Sequence, residues 1–132
     1  MKITIRFPTP TINHLYWHRG NMKFLKKEAR ELRDEIITLV NNQVHEYELK
    51  HLKDKQLIVN VEVHENWFDL NKNIKRKDIL NKEKFLIDSV FKGLDLDDRQ
   101  IFDCRFIKRQ SNNEEDYKSI ITIREYISEL QT

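Results

Sequence analysis

The residues of this chain that could do chemistry are carboxylates and a lysine at regular spacing in its second half. Asp78 is followed by Lys84 and then Asp88, and an acidic pair, Asp97-Asp98, comes a few residues later. Carboxylate oxygens hold Mg²⁺ against a phosphate, and a lysine can meet the negative charge of that phosphate. The pattern therefore predicts phosphodiester chemistry.

A short amphipathic helix is expected to carry most of these side chains. At helical spacing its apolar residues share one face, whereas Asn81, Lys84 and Asp88 fall together on another. Asp78 stands at the expected N-cap, so an ordinary cap and a metal ligand both explain it. Glu83 falls within the apolar arc, where a carboxylate either turns to solvent or joins a partly buried site.

The elements that must position this helix alternate along the chain. Strands are predicted at residues 2–7, 57–64, 101–108 and 117–124, and helices at about 23–50 and 78–92, with Gly93 as a natural stop. Residues 9–22 are predicted to be a loop. The order β-α-β-α-β-β indicates an α+β fold, a single domain over residues 1–132 with a mixed four-stranded sheet and two packed helices.

Composition and charge narrow the class of protein. Charged residues make up 35% of the chain, yet the formal net charge is only +2, so local clusters matter more than the global field. The single cysteine, Cys104, excludes an internal disulfide and is predicted to lie in the core of a strand. No apolar run approaches the length of a membrane span, so no membrane association is expected. The single cysteine indicates a reduced, intracellular protein, and a cytoplasmic location is expected.

The motifs and their order resemble a known family. They are Phe7-Pro8 through Pro10 with Asn13 and Tyr16, then the run Lys75-Arg76-Lys77-Asp78-Ile79-Leu80-Asn81 with Lys84 and Asp88, and then Asp97-Asp98 with Gln100. In these features the chain is similar to the RusA family of Holliday junction resolvases, which occur in prophages and bacteria. The resemblance covers most of the chain.

The resemblance implies a homodimeric, Mg²⁺-dependent endonuclease that nicks four-way DNA junctions symmetrically, with Mn²⁺ able to substitute. The implied catalytic residues are Asp78, Lys84 and Asp98, which we expect to converge around one pocket open to solvent. Asp78 and Asp98 would bind the metal, with Asp97, Asp88 and Glu83 as further candidate ligands. The implied DNA-binding residues are Asn13, Tyr16, Arg19, Lys72, Lys75, Arg76, Lys77 and Asn81.

One position departs from the family pattern. Leu80 stands where the family has a second metal-binding aspartate, and a leucine cannot bind a metal. The site can work with fewer protein ligands, another acid (Glu83, Asp88 or Asp69) can substitute, or cleavage is lost. We expect some activity to remain.

Two alternatives stay open beside this expectation. The first is a non-catalytic or weakly active protein that binds DNA junctions on the same scaffold. The second is a small α+β interaction protein with charged surfaces and no nucleic-acid role.

Overall fold

The sheet of the molecule is mixed and has helices on one face. The computed structural model describes residues 1–6, 16–19, 22–75 and 79–127, with the backbone alone described for 16–19, 22–25 and 79–83. The strands are β1 (Lys2–Ile5), β2 (Tyr16–Arg19), β3 (Met22–Leu25), β4 (Leu57–Glu65), β5 (Ile101–Gln110) and β6 (Lys118–Glu125). The helices are α1 (Lys27–Gln43), α2 (Glu46–Leu52) and α3 (Ile79–Leu94).

Four of these strands form one sheet in the order β1-β6-β4-β5. The central strand β4 pairs in parallel with β5 and antiparallel with β6. Along β4, Leu57, Val59, Val61 and Val63 are buried, whereas the residues between Val59 and Glu65 on the other face are partly exposed. This period of two buries one face of the strand against the helices. The predicted α+β class and mixed four-stranded sheet are confirmed.

The helices α1 and α3 pack on each other across Gly93. A Cβ atom at Gly93 would lie 3.3 Å from the Cα of Ile37, so the absence of a side chain lets the two helix backbones approach closely. The sequence predicted that α3 would stop at Gly93, but the helix continues through this residue. The helix ends one residue later, where Asp95 takes a left-handed conformation with φ 55°.

Three predictions about the elements are wrong. The described residues contain three helices, because Val44 and His45 are extended and divide the predicted 23–50 helix into α1 and α2. The predicted 9–22 loop and the first residues of the predicted helix instead form the hairpin β2–β3, in which Tyr16 pairs with Leu25. Cys104 is exposed, since β5 is an edge strand. No helix in the described ranges is long and apolar enough to cross a membrane.

Candidate functional site

An acidic cleft of about 410 Å³ lies at the C-terminal end of α3. Its lining residues are Asp88, Phe91, Lys92, Asp95, Leu96, Asp97 and Asp98. The cleft forms because the chain reverses after α3: the Leu96 N–H donates to the Phe91 carbonyl at 3.0 Å, and the Asp95 N–H to the Lys92 carbonyl at 3.3 Å. A short 3₁₀ turn, Asp98–Gln100, then leads into β5.

Asp97 holds this turn in place. Its Oδ1 accepts from the Arg99 backbone N–H at 2.9 Å, and its Oδ2 accepts from Arg99 Nε at 3.0 Å and Nη2 at 2.7 Å. These hydrogen bonds lower the pKa of Asp97 to about 2. Gln100 completes a capping box, since its Oε1 accepts from the Asp97 N–H at 3.0 Å. Both carboxylate oxygens of Asp97 are therefore engaged.

Asp98 and Asp88 are exposed side chains that face the same cleft. Their oxygens are the hard ligands that Mg²⁺ prefers, and that ion keeps several waters when protein ligands are few. Among the residues that the structure describes, no three histidine, cysteine or acidic side chains are grouped closely enough to hold a metal ion. The cleft thus brings two exposed carboxylates to one surface, without a three-ligand group among the described residues.

Lys84 does not line the acidic cleft. It is exposed and lies four residues before Asp88, the first cleft residue on α3, which corresponds to about 6 Å along the helix axis. The first residue of the helix, Ile79, lies nine residues before Asp88, about 14 Å along the axis. Because Asp78 lies outside the described residues, the common pocket of Asp78, Lys84 and Asp98 stays a prediction.

Several predicted site residues lie outside what the structure describes. Asn13, Arg76, Lys77 and Asp78 are not among the described residues, and the side chains of Tyr16, Arg19, Leu80, Asn81 and Glu83 are not described. Their assigned roles stay predictions.

Two of the predicted DNA-binding lysines, Lys72 and Lys75, lie in the described 67–75 loop between β4 and α3. Lys72 is exposed and has a φ of 63°, and the Lys75 N–H donates to the Trp67 carbonyl at 2.8 Å. Asp69, a candidate replacement ligand, uses its Oδ1 to accept from the N–H groups of Asn71 and Asn73, both at 2.9 Å. Shaping the loop is a sufficient explanation for an acid at this position.

The comparison with known families decides the assignment. A family model described as endodeoxyribonuclease RusA matches residues 7–124 of the 132. This chain belongs to the RusA family. No curated protein matches the chain significantly.

RusA proteins are endodeoxyribonucleases, and membership of the family implies Holliday junction resolvase activity and binding to branched DNA. RusA nucleases are in general metal-dependent. The match spans the 67–75 loop, α3 and the acidic cleft, so all the described candidate residues of this RusA chain lie within it.

The sequence did not indicate a role for two polar residues, Arg99 and Glu65. Arg99 donates hydrogen bonds to Asp97 and lowers its pKa. The Asp-x-Arg spacing in a turn is the sequence pattern that could have indicated this contact. Glu65 is a buried carboxylate at the end of β4, on the face that meets the helices. The sequence pattern that could have indicated it is the alternation of β4, in which the inward positions from Leu57 to Val63 are apolar and the next inward position is Glu65.

Proposed function

We propose that this chain is a Mg²⁺-dependent endonuclease that resolves four-way DNA junctions by paired, symmetric nicks. Family membership supports the reaction class. The observation that carries the proposal is the acidic cleft, where exposed Asp98 follows an Asp97 already held by Arg99. We place the reaction in the cytoplasm, and Mn²⁺ is expected to substitute for Mg²⁺.

The cleft residues have separate roles in this proposal. Asp98 and Asp78 would hold the metal, while Asp97 would fix the turn that presents Asp98. When bound, the metal lowers the pKa of a coordinated water and offsets charge on the phosphoryl group. Four aspartates and one lysine line the cleft, so DNA phosphates are repelled from it until a cation binds.

Lys84 and the basic residues would act on the DNA itself. Lys84 is exposed on α3 and would offset negative charge on the leaving oxygen. Lys72 and Lys75 of the 67–75 loop would contact backbone phosphates, which positions the DNA without reading its sequence. We assign the same backbone-contact role to Arg76, Lys77, Asn81, Asn13, Tyr16 and Arg19.

A homodimer explains how the two ends of α3 could serve one site. Because Ile79, the first residue of α3, lies about 14 Å along the helix axis from the cleft residue Asp88, the acidic cleft of one protomer would be completed by the start of α3 from a second copy. A two-fold dimer also presents two equivalent sites to the two symmetric strands of a junction. The distance along α3 from Ile79 to the cleft supports this arrangement.

Because Leu80 cannot bind a metal, the family pattern does not fix which protein ligands form the metal site. Asp88 is the stronger substitute for the missing aspartate, because it lines the cleft with Asp98, whereas Asp69 does not line it. The runner-up function is junction binding without cleavage, and Leu80 is the residue that favours it.

The test is cleavage of a synthetic four-way junction, labelled on each strand, in Mg²⁺, Mn²⁺ or EDTA. The wild-type protein should make paired nicks, and Asp98→Asn should reduce the rate by about 100-fold or more while binding persists. Asp116→Asn, an exposed acid in the other 3₁₀ turn, is the matched control and should cut normally.

Three results of the same assay separate the alternatives. Retained binding with intact strands in both metals would establish the runner-up. Equal affinity for junction and linear duplex, without nicks, would support a protein with no role at junctions. In a protein that cuts, a faster Leu80→Asp variant would indicate that the missing ligand limits the rate.

A further inference from the structure

The 67–75 loop exposes an apolar cluster that the fold does not use. Leu70 at its tip is completely exposed, Ile74 is 70% exposed and Phe68 is 41% exposed. We propose that this loop is a wedge that inserts Leu70 between base pairs at the branch point of a DNA junction. The inference rests on the proposed function, since it assigns a residue for recognising the same branched substrate.

The base of the loop is firmly anchored. Trp67 is buried, and its Nε1 donates to the carbonyls of Val63 at 3.2 Å and Arg109 at 2.9 Å. Its backbone N–H donates to Gln110 Oε1 at 3.0 Å. A side chain presented from such a base loses little further freedom on binding, so its contacts are retained as affinity.

The tip is shaped by hydrogen bonds that direct its polar groups inward. Phe68 and Ile74 form an antiparallel bridge, and the Asp69 N–H donates to the Asn73 carbonyl at 2.8 Å. The Asp69 carboxylate accepts the two backbone N–H groups described above, and the Lys72 N–H donates to the Asp69 carbonyl at 3.0 Å. These bonds fix the turn while Leu70 remains outside it.

The charges around the tip favour DNA over a protein partner. Lys72 lies between Leu70 and Ile74 in the loop and Lys75 follows Ile74, while the acid within the loop, Asp69, is directed at backbone N–H groups. An apolar side chain with cations nearby in the same loop matches a base step bordered by phosphates. By contrast Tyr47, 85% exposed on α2, stands between Glu46 and Glu48, which would repel DNA.

The loop that carries the wedge precedes, by a few residues, the helix that carries Lys84. Four peptide links join Lys75 to Ile79, so their Cα atoms lie within about 14 Å of each other. In the open form of a four-way junction the base pairs at the branch point are stacked on one side only, which makes insertion there cheaper than within continuous duplex. A wedge in this position would therefore select junctions over linear DNA.

The experiment uses a junction with 2-aminopurine at the branch point, a base whose fluorescence rises when it is unstacked. Binding of the wild-type protein should raise the fluorescence, and Leu70→Ala should abolish the rise and weaken junction binding about tenfold, as expected for loss of a buried leucine contact. Leu70→Phe should keep the rise, whereas Tyr47→Ala should behave as wild type. Lys72→Gln should instead lower the salt dependence of binding.

The outcomes separate the wedge from the proposed function. If Leu70→Ala binds and unstacks the junction as wild type does, the wedge is overturned while resolvase activity stands. If Leu70→Ala changes the sedimentation of the free protein and leaves the fluorescence rise intact, the loop is a protein contact and the wedge is again overturned. If the wild-type protein neither binds nor cuts junctions, both proposals fail together.

Discussion

At the scale of single residues, two adjacent aspartates show how environment separates side chains of one type. Asp97 accepts three hydrogen bonds from Arg99, while Asp98 is exposed in the cleft. An Asp-Asp pair in the sequence points to a site without saying which member is open. The assignment of Asp98 to metal binding and Asp97 to the turn depends on Arg99.

The Asp97–Arg99 contact has a measurable consequence for pH. Because the pKa of Asp97 is lowered to about 2, its carboxylate stays ionised in the folded protein well below the ordinary value of about 3.9. Its stabilising effect is therefore present above about pH 4 and is lost as the pH falls toward 2. NMR titration should give Asp97 the low pKa, and Arg99→Gln should raise it toward the ordinary value. An unchanged pKa in the variant would show that Arg99 is not the cause.

The remaining site residues were predictable only in part. The sequence led to Asp88, Asp97 and Asp98 through their spacing, and the structure places all three on one cleft. It did not lead to Glu65, because the sequence does not distinguish a buried acid at the end of a strand from an exposed one. Cys104 was misplaced because sequence shows that a segment is a strand but not that the strand lies at an edge.

At the scale of elements, the end of α3 reverses the usual roles of glycine and aspartate. Gly93 lies inside the helix and makes room for α1, while the left-handed residue that ends the helix is Asp95. A glycine near the end of a helical pattern predicts a C-terminal cap, and that was the prediction here. The contact of Gly93 with α1 overrides this preference for a cap. Sequence periodicity does not show which two helices pack against each other, so the contact could not be predicted.

Substitutions at these two positions should change stability in opposite directions. Gly93→Val should lower the free energy of unfolding by about 2 kcal/mol, because its methyl groups would press on Ile37 and Val40. Asp95→Gly should raise it by about 0.5–1 kcal/mol, since glycine adopts positive φ without strain. Urea denaturation measures both. Equal effects of the two substitutions would contradict the assigned roles.

The break between α1 and α2 shows why helix length was overestimated. Leu32, Val44 and Leu49 all pack against the core, although Val44 is extended. The apolar period therefore continues through a position that is not helical, and periodicity alone cannot locate the interruption. The predictions of β4 and β6 were closer to the structure, because alternate residues of each strand are buried along most of its length.

At the scale of the whole molecule, the length of α3 separates the start of the helix from the acidic cleft. Ile79 lies about 14 Å along the helix axis from Asp88, the first cleft residue on α3, whereas Lys84 lies about 6 Å from it. The sequence predicted candidate residues for the site, but spacing along a chain does not state which chain completes a site. In the proposed dimer, a second copy would supply the start of α3.

Mixed dimers provide the test of this arrangement. If one chain supplies Asp98 and the other supplies Lys84, then Asp98→Asn and Lys84→Ala should each be inactive alone, while a mixed dimer contains one intact site and one doubly altered site. Random mixing of equal amounts should restore about a quarter of the wild-type sites, because half of the dimers are mixed. Each restored site should nick one strand without the paired nick opposite.

A matched mixture separates restoration from any other effect of mixing. Asp98→Asn combined with a chain that carries both substitutions contains no intact site in either arrangement, so it should stay inactive. If the first mixture is also inactive while both variants bind the junction, Asp98 and Lys84 act within one chain, and the shared site of the proposed dimer is wrong. The pattern of single and paired nicks therefore reports which chain completes the site, independently of how fast the wild-type protein cuts.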